Sequence, residues 1–275
     1  MSTGAAEIHP TAIVSPSAKI GAGTTVGPYS IIGADVVIGE GNRVGPHVVV
    51  EGHTKIGNGN TIFQFASVGA APQDLKYRGE PSELVIGNGN IIRECVTLQP
   101  GTSGGGMVTR IGDGNLFMAN THVGHDSIVG DRCVFANSAA LAGHVTVGNG
   151  VIVGGLSGIH QFVRLGDVAM IGAGAMVAQD IPPFCMAQGD RATVQGLNRI
   201  GLERNGCTKD EFAVLREVYR TVFTSSAAEV KGRVFKDRVA YAMGICGESR
   251  KALAFLDFLR SSERGIAAHH SQGGE

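Results

Sequence analysis

The sequence predicts an all-β parallel β-helix, a hexapeptide-repeat prism with three hexads per coil, followed by a small α-helical C-terminal domain. Three observations carry this. An Ile, Val, Leu or Phe heads a six-residue unit 26 times between Ile8 and Val177. Gly follows the head in fifteen of those units, as in Ile20-Gly21, Val123-Gly124 and Ile171-Gly172. After Asp180-Ile181-Pro182-Pro183 the hexads stop, and apolar residues return at helical spacing. A short fixed period with one apolar residue per unit marks a solenoid whose core is stacked coil on coil.

Three hexads make an 18-residue coil. Parallel strands stack about 4.8 Å apart, so residues 18 apart become neighbours on one face. The heads then form three inward ladders, and Gly after each head is expected to allow corner conformations that a side chain resists.

The repeat breaks twice. The stretch Ala71-Pro72-Gln73-Asp74-Leu75-Lys76-Tyr77-Arg78-Gly79-Glu80-Pro81 separates Val68 from Ile86, 18 residues on, and reads as a loop replacing most of two strands. At Gly101-Thr102-Ser103-Gly104-Gly105-Gly106 the phase slips by one, since Ile111 follows Leu98 by 13. Loops projecting from a rigid scaffold are favoured places for binding residues, and the first is densely charged at Asp74, Lys76 and Arg78.

Composition narrows the class. Gly is abundant at 42 residues and Trp is absent, which suits a narrow aliphatic core. Apolar runs fall short of the ~18 residues of a transmembrane helix, and no secretory signal opens the chain. Five scattered cysteines without a CxxC pair read as reduced thiols, so a cytoplasmic location is expected. Residues 1–190 carry 9 Lys/Arg against 14 Asp/Glu and residues 191–275 carry 14 against 10, giving −5 and +4. A basic second part suits an acidic partner or a phosphate-bearing ligand, or reflects ordinary helix surfaces. No nucleic-acid partner is expected.

Two domains follow, 1–190 and 191–275. In the second, Thr208-Lys209-Asp210-Glu211 is a capping box opening a helix with Phe212, Leu215, Val218, Tyr219 and Val222 on one face. Further helices are expected near 227–242 and 249–262, with residues 266–275 disordered.

Four of nine histidines, His122, His125, His144 and His160, fall in one window. The 18-residue period stacks His125 on Gly143 and Gly143 on Gln161. His144 and His160 sit one residue from that column, and the four are expected at one edge across about 10–15 Å. Two chemistries compete for them. Three imidazoles can hold zinc, as in the γ-class carbonic anhydrases. Alternatively, one His with an orienting carboxylate such as Asp126 is a general base, and the Gly143 N–H serves a developing oxyanion.

Several segments together carry a resemblance. They are Gln73-Asp74-Leu75-Lys76-Tyr77, Gly124-His125-Asp126, Leu141-Ala142-Gly143-His144, Ile159-His160-Gln161-Phe162, Ala178-Gln179-Asp180-Ile181-Pro182-Pro183 and Asn198…Gly201-Leu202…Arg204. The chain resembles, over roughly residues 8–262, the acyl-carrier-protein-dependent UDP-N-acetylglucosamine acyltransferases that open lipid A biosynthesis. The resemblance implies a left-handed coil and a homotrimer with active sites in the clefts between prisms. It implies that His125 deprotonates the glucosamine 3-hydroxyl, which attacks the thioester of a 3-hydroxyacyl carrier protein. Asp126 would orient His125 and the Gly143 amide would hold the oxyanion. Gln73, Asp74 and Lys76 match the family's sugar loop. His122, His144, His160 and Gln161 would line the sugar–diphosphate and acyl site, with Asn198 and Arg204 towards the nucleotide.

Met170 and Ala173 match the region that acts as an acyl-chain ruler. Ala173 is small and favours a longer chain, whereas Met170 can close the groove. No cofactor or metal is implied, because the thioester is itself activated. The chain departs from the family at Gln99, where His is common, and at Ile200 and Asn205, where an acidic and a basic residue are usual. An N-acyltransferase acting on an amino-substituted UDP-sugar is the alternative within the fold.

Overall fold

A computed structural model describes residues 4–224 and 230–270 of the chain. Its first two thirds form a three-sided prism of short parallel strands, in sheets of 11, 9 and 8 strands. On the second face, Leu98, Val123, Leu141, Ile159 and Val177 lie in one register. The heads are the core: Ile32, Ile92, Leu98, Leu141 and Ile171 are at most 1% exposed. Phe117 and Phe135, heads on the first face, stack at 4.9 Å.

From the Val26 unit onward, each unit also buries the residue two before its head. Val36, Val48, Val96, Val145 and Val163 are apolar examples. On the first face that position carries Asn42, Asn60, Asn90 and Asn115, all buried. Asn42 Oδ1 accepts from the Asn60 N–H (2.8 Å) and Asn60 Nδ2 (2.9 Å), and Asn60 Oδ1 accepts likewise from Asn90. A buried amide is costly only when unpaired, and Asn42, Asn60 and Asn90 satisfy one another from coil to coil, whereas Asn115 Nδ2 has no partner among the described residues.

Two expectations need correction. The Gly after a head is not there for its φ, Gly69 (φ 86°) excepted. The positive-φ residue is the third after the head, occupied by Gly23 and Gly41 but equally by Tyr29, His47 and Phe65. The glycine instead lets successive coils touch: a Cβ on Gly27 would lie 2.8 Å from the Gly45 carbonyl carbon. Nor does the first loop replace strands. Glu83–Ile86 follows Ser67–Val68 directly on the next face and pairs with His53–Ile56, Ile86 opposite Ile56. That separation of 30 is one coil plus a 12-residue insertion. Likewise Ile111 pairs with Ile86, 25 residues back, so the second break inserts seven.

Beyond Pro183, strand Cys185–Gln188 continues the first face in parallel, and Thr193–Leu197 returns antiparallel to it. Among the described residues four helices follow: α1 (Arg199–Arg204), α2 (Lys209–Phe223), α3 (Phe235–Ile245) and α4 (Arg250–Arg260). The Thr208–Glu211 capping box opens α2 as expected. Leu215, Val218, Val222, Val239, Phe255 and Leu256 form the helical core. Of the two further helices, α3 starts later than expected, and residues 225–229 lie outside the described residues. The expected disorder from residue 266 does not hold through 270. Residues 262–270 run as a strap along the prism, Asp180 bridging Ile266 and Val194 bridging His269. His269 also stacks on Phe223 at 5.9 Å.

Candidate active site

The corner after each second-face strand builds the site. Strand His122–Val123 ends at Gly124, and His125 and Asp126 make the turn, Asp126 at φ 58°. One coil on, Gly143 and His144 (φ 61°) occupy the same places, then Gln161 and Phe162 (φ 66°). His125, Gly143 and Gln161 therefore share a column, as the 18-residue period requires.

Throughout the prism, the first residue of a corner has an N–H with no backbone acceptor. Proline, which lacks that donor, stands there at Pro16, Pro28 and Pro46. On the column from Glu40 through Asn58, Asn88, Asp113, Asp131 and Asn149, the next coil's Asn or Asp Oδ1 takes the N–H at 2.7–2.9 Å. The Gly143 N–H has no acceptor among the described residues. The His125 ring lies against the same residue: a Cβ on Gly143 would sit 2.6 Å from His125 Nε2.

His125 Nδ1 is 2.8 Å from Asp126 Oδ2. A carboxylate only accepts, so Nδ1 donates and Nε2 is left as the basic nitrogen. The Asp126 side chain is fully buried, and Thr102 holds it: the Thr102 N–H donates to Oδ1 (2.8 Å) and its hydroxyl to Oδ2 (2.6 Å). Gly105 packs against the carboxylate so closely that any side chain would overlap it. The second insertion is thus a clamp on Asp126. Thr102 was missed from sequence, although the Thr102-Ser103 hydroxyl pair among glycines at a phase break was the available signal.

His144 meets His125 edge-on at 5.0 Å and stacks on Phe162 at 4.5 Å. Burial lowers its pKa, opposed by Asp126; His125, Asp74 and Lys76 also act on it. Asp74 and Lys76 of the first insertion therefore stand near enough to this corner to act on its charge. Within it the Lys76 N–H donates to Asp74 Oδ1 (2.9 Å), and the Gln73 N–H donates to Gln99 Oε1 at 3.3 Å. Buried Gln99 thus anchors the loop's base, in the same column as His160. Glu80 ties the insertions together, one carboxylate oxygen accepting from the Arg78 N–H and the other from the Ser103 N–H. Those backbone donors bring its pKa down to about 2.

The remaining candidates scatter. His122 and His160 line a groove of about 730 Å³ along the second face, with Ala140, Met176 and Arg191. The His122 ring pairs with Thr97 at 2.7 Å; burial, then the nearby His125, lowers its pKa. Gln161 is exposed, with its carbonyl 3.2 Å from His160 Nδ1. Met170 is on the first face and Ala173 at the corner after it, outside that groove. Asn198 is buried and caps α1, accepting from the Gly201 N–H, while its Nδ2 donates to the Val168 carbonyl. Arg204 is exposed in the last turn of α1.

The clustered metal-capable groups are His125, Asp126 and His144, within 4.8 Å of one another. That is two imidazoles and a carboxylate, not three imidazoles. Both Asp126 oxygens already accept strong hydrogen bonds, so the arrangement suits proton transfer to and from His125.

Comparison with known proteins agrees. Residues 180–267 match the model for UDP-N-acetylglucosamine O-acyltransferase domain 2, and residues 17–52 and 109–143 match the bacterial transferase hexapeptide repeat. The chain is 52% identical over 261 residues to the acyl-(acyl-carrier-protein)–UDP-N-acetylglucosamine O-acyltransferase of Myxococcus xanthus, covering 95% of this chain and 99% of that one. It is 50% identical over 259 residues to the enzyme of the same name from Aliarcobacter butzleri, covering 94% and 97%. The crystal structure of the Francisella novicida UDP-N-acetylglucosamine acyltransferase superposes with a TM-score of 0.90 at 36% identity, covering 96% of this chain and 95% of that one. The prism is thus a left-handed parallel β-helix with a small helical C-terminal domain. The chain is an acyltransferase and belongs to the acyl-(acyl-carrier-protein)–UDP-N-acetylglucosamine O-acyltransferase family.

Proposed function

We propose that this protein transfers a 3-hydroxyacyl group from acyl carrier protein to the 3-hydroxyl of UDP-N-acetylglucosamine, the first step of lipid A biosynthesis. One observation carries the mechanism: a His–carboxylate pair packs against Gly143, whose backbone N–H has no acceptor among the described residues. His125 Nε2 takes the proton of the sugar hydroxyl as its oxygen attacks the thioester carbon. Asp126 accepts from Nδ1–H and stabilises the imidazolium that forms. The Gly143 N–H meets the oxyanion of the tetrahedral intermediate. Collapse breaks the carbon–sulfur bond, and the imidazolium returns its proton to the leaving thiolate. No cofactor is required, because the thioester is the activated group.

Asp74 and Lys76, on the loop near His144, and Gln73 at its base serve the sugar. His122, His160 and Gln161 serve the groove, whose apolar wall suits an acyl chain. The division of labour falls near residue 190, with the prism carrying the chemistry.

The proposed enzyme is a homotrimer, and where the other candidates stand supports a site shared between copies. Asn198 fixes α1 to the Val168 corner, between the third and first faces, whereas His125 lies between the second and third. A site using both His125 and Arg204 takes them from two copies. The same holds for Met170 and Ala173, which can close the groove of a neighbouring prism. An exposed column of Tyr29, His47 and Phe65, stacked at 5.2 and 5.4 Å, offers apolar surface for such contacts. None of the described helices is long and apolar enough to cross a membrane. We place the enzyme in the cytoplasm, with its carrier-protein and nucleotide-sugar substrates.

The test is mass spectrometry of the product formed from mixed acyl carrier proteins and UDP-sugars, including one with a 3-amino group. An ester on UDP-N-acetylglucosamine is expected. Amide formation alone would overturn the acceptor assignment.

A further inference from the structure

The C-terminal strap reaches the groove. Its backbone is pinned to the prism: the Asp180 N–H donates to the Gly265 carbonyl (2.9 Å), the Ala267 N–H to the Asp180 carbonyl (3.0 Å) and the Val194 N–H to the Ala268 carbonyl (2.8 Å). The buried Asp180 carboxylate holds the start of the strap through Ser262 Oγ (2.8 Å), and also accepts from Arg164 Nε (3.0 Å). This places Arg264 beside the groove. Its Nε donates to the Ala178 carbonyl (2.9 Å), and its Nη2 lies 2.8 Å from His160 Nδ1.

Two groups compete for that imidazole nitrogen. The Gln161 carbonyl, at 3.2 Å, only accepts and asks for Nδ1–H. The Arg264 guanidinium has no acceptor lone pair and stays charged at any working pH, so it only donates and asks for a bare Nδ1. It is also closer, and charge-assisted bonds are about twice as strong as neutral ones. Arg264 wins. The proton then sits on Nε2, the ring's remaining polar atom, on a residue that lines the groove.

We propose that Arg264 fixes His160 as the Nε2–H tautomer, making His160 a hydrogen-bond donor to an acceptor oxygen of the acyl donor in the second-face groove. Arg264 is a positioning residue acting through His160. The groove's walls are apolar at Ala140, Ile159, Met176 and Ala178, so an acyl chain fills it, and the oxygen nearest His160 belongs to the acyl donor. Removing Arg264 leaves the Gln161 carbonyl as the only partner of Nδ1 among the described residues. The tautomer then reverses, and Nε2 turns from donor to acceptor.

This inference rests on the acyl-transfer reading, but its main test needs no turnover. Two-bond proton–nitrogen correlation spectra of ¹⁵N-histidine-labelled protein report which ring nitrogen is protonated, with His160 assigned by its absence in His160→Asn. The expected result is a bare Nδ1 in the native protein and in Arg264→Lys, and a protonated Nδ1 in Arg264→Met. A protonated Nδ1 in the native protein overturns the inference, whether or not the variants fold. In steady-state assays, Arg264→Met should raise the KM for the acyl carrier protein substrate roughly 3- to 10-fold, the scale of one lost hydrogen bond, with the UDP-sugar KM unmoved. Arg264→Lys should restore it. An unchanged KM for the acyl donor despite the reversed tautomer would overturn the donor role. Failure of the acyl-transfer reading would show separately, as absence of product with the native enzyme.

Discussion

Thr102 grips Asp126 by both carboxylate oxygens, its N–H on Oδ1 at 2.8 Å and its hydroxyl on Oδ2 at 2.6 Å. The second of these oxygens is the one that His125 Nδ1 approaches. The seven-residue insertion therefore fixes the rotamer of the group that orients the base. Replacing Thr102 by Val keeps the N–H donor but deletes the hydroxyl, a hydrogen bond to a buried charge worth about 1.5–3 kcal/mol. Thr102→Val should unfold at a lower temperature and transfer acyl groups at least ~10-fold more slowly. Thr102→Ser should retain most of both. Steady-state kinetics and thermal melts of the three proteins make the check, and equal rates in Val and Ser would dismiss the clamp.

Gly143 is the sharpest steric probe. Its φ is not in the left-handed region, so Ala is compatible with the backbone. The added methyl would nevertheless lie 2.6 Å from His125 Nε2. The ring must move away from Gly143, and displacement of a catalytic group by about 1 Å can cost 10²-fold. Gly143→Ala should lose on the order of 10²-fold in kcat with an unchanged far-ultraviolet circular dichroism spectrum. Retention of full activity would show that catalysis does not need the His125 ring held against Gly143.

The base itself is tested by His125→Ala and Asp126→Asn. General base catalysis contributes about 10²–10⁴-fold, so His125→Ala should fall by at least that lower bound while melting within a few degrees of the native enzyme. The Asn amide can donate to Nδ1 and so favours the wrong imidazole tautomer, and Asp126→Asn should lose activity comparably. Near-normal turnover in either variant would sink the dyad.

The prism was legible in the sequence because one inward position per hexad must be apolar on every coil, whatever else changes. The breaks were legible too, but not their nature. An insertion of twelve is a multiple of six, so Ile86 resumes in phase whether strands are lost or residues are added. Pairing of Ile86 with Ile56 decides it. The Asn42–Asn60–Asn90 ladder stayed hidden because polarity at a buried position gives no hydrophobic signal. The His125–Gly143–Gln161 column emerged from the period alone. Phe162, which stacks on His144, stood in a quoted segment without a role. The strap had no periodicity to read: its partners Asp180 and Val194 lie more than 70 residues away, and Arg264 resembles any surface cation until it meets His160.

Glu80 joins the two insertions and gives a pH signature. Its carboxylate accepts from the Arg78 N–H (2.8 Å) in its own loop and the Ser103 N–H (2.9 Å) in the other. These donors favour the charged form and lower its pKa from 4.5 to about 2. A carboxylate depressed on folding stabilises the native state fully above its unfolded value, and that contribution fades as pH falls. The window here runs from about 4.5 down to about 2. Glu80→Gln keeps the shape but only one acceptor oxygen and no charge, so it should melt below the native enzyme at pH 7. The gap should narrow progressively below pH 4.5. Because the bond also holds the Asp74–Lys76 loop near His144, the variant should show a raised KM for the UDP-sugar at neutral pH, roughly 3- to 10-fold. The acyl donor KM should hardly change. Melting curves that stay separated by the same interval from pH 7 to pH 3 would show that the Glu80 charge is not what holds the two insertions together, and coincident curves at pH 7 would show that the link contributes nothing.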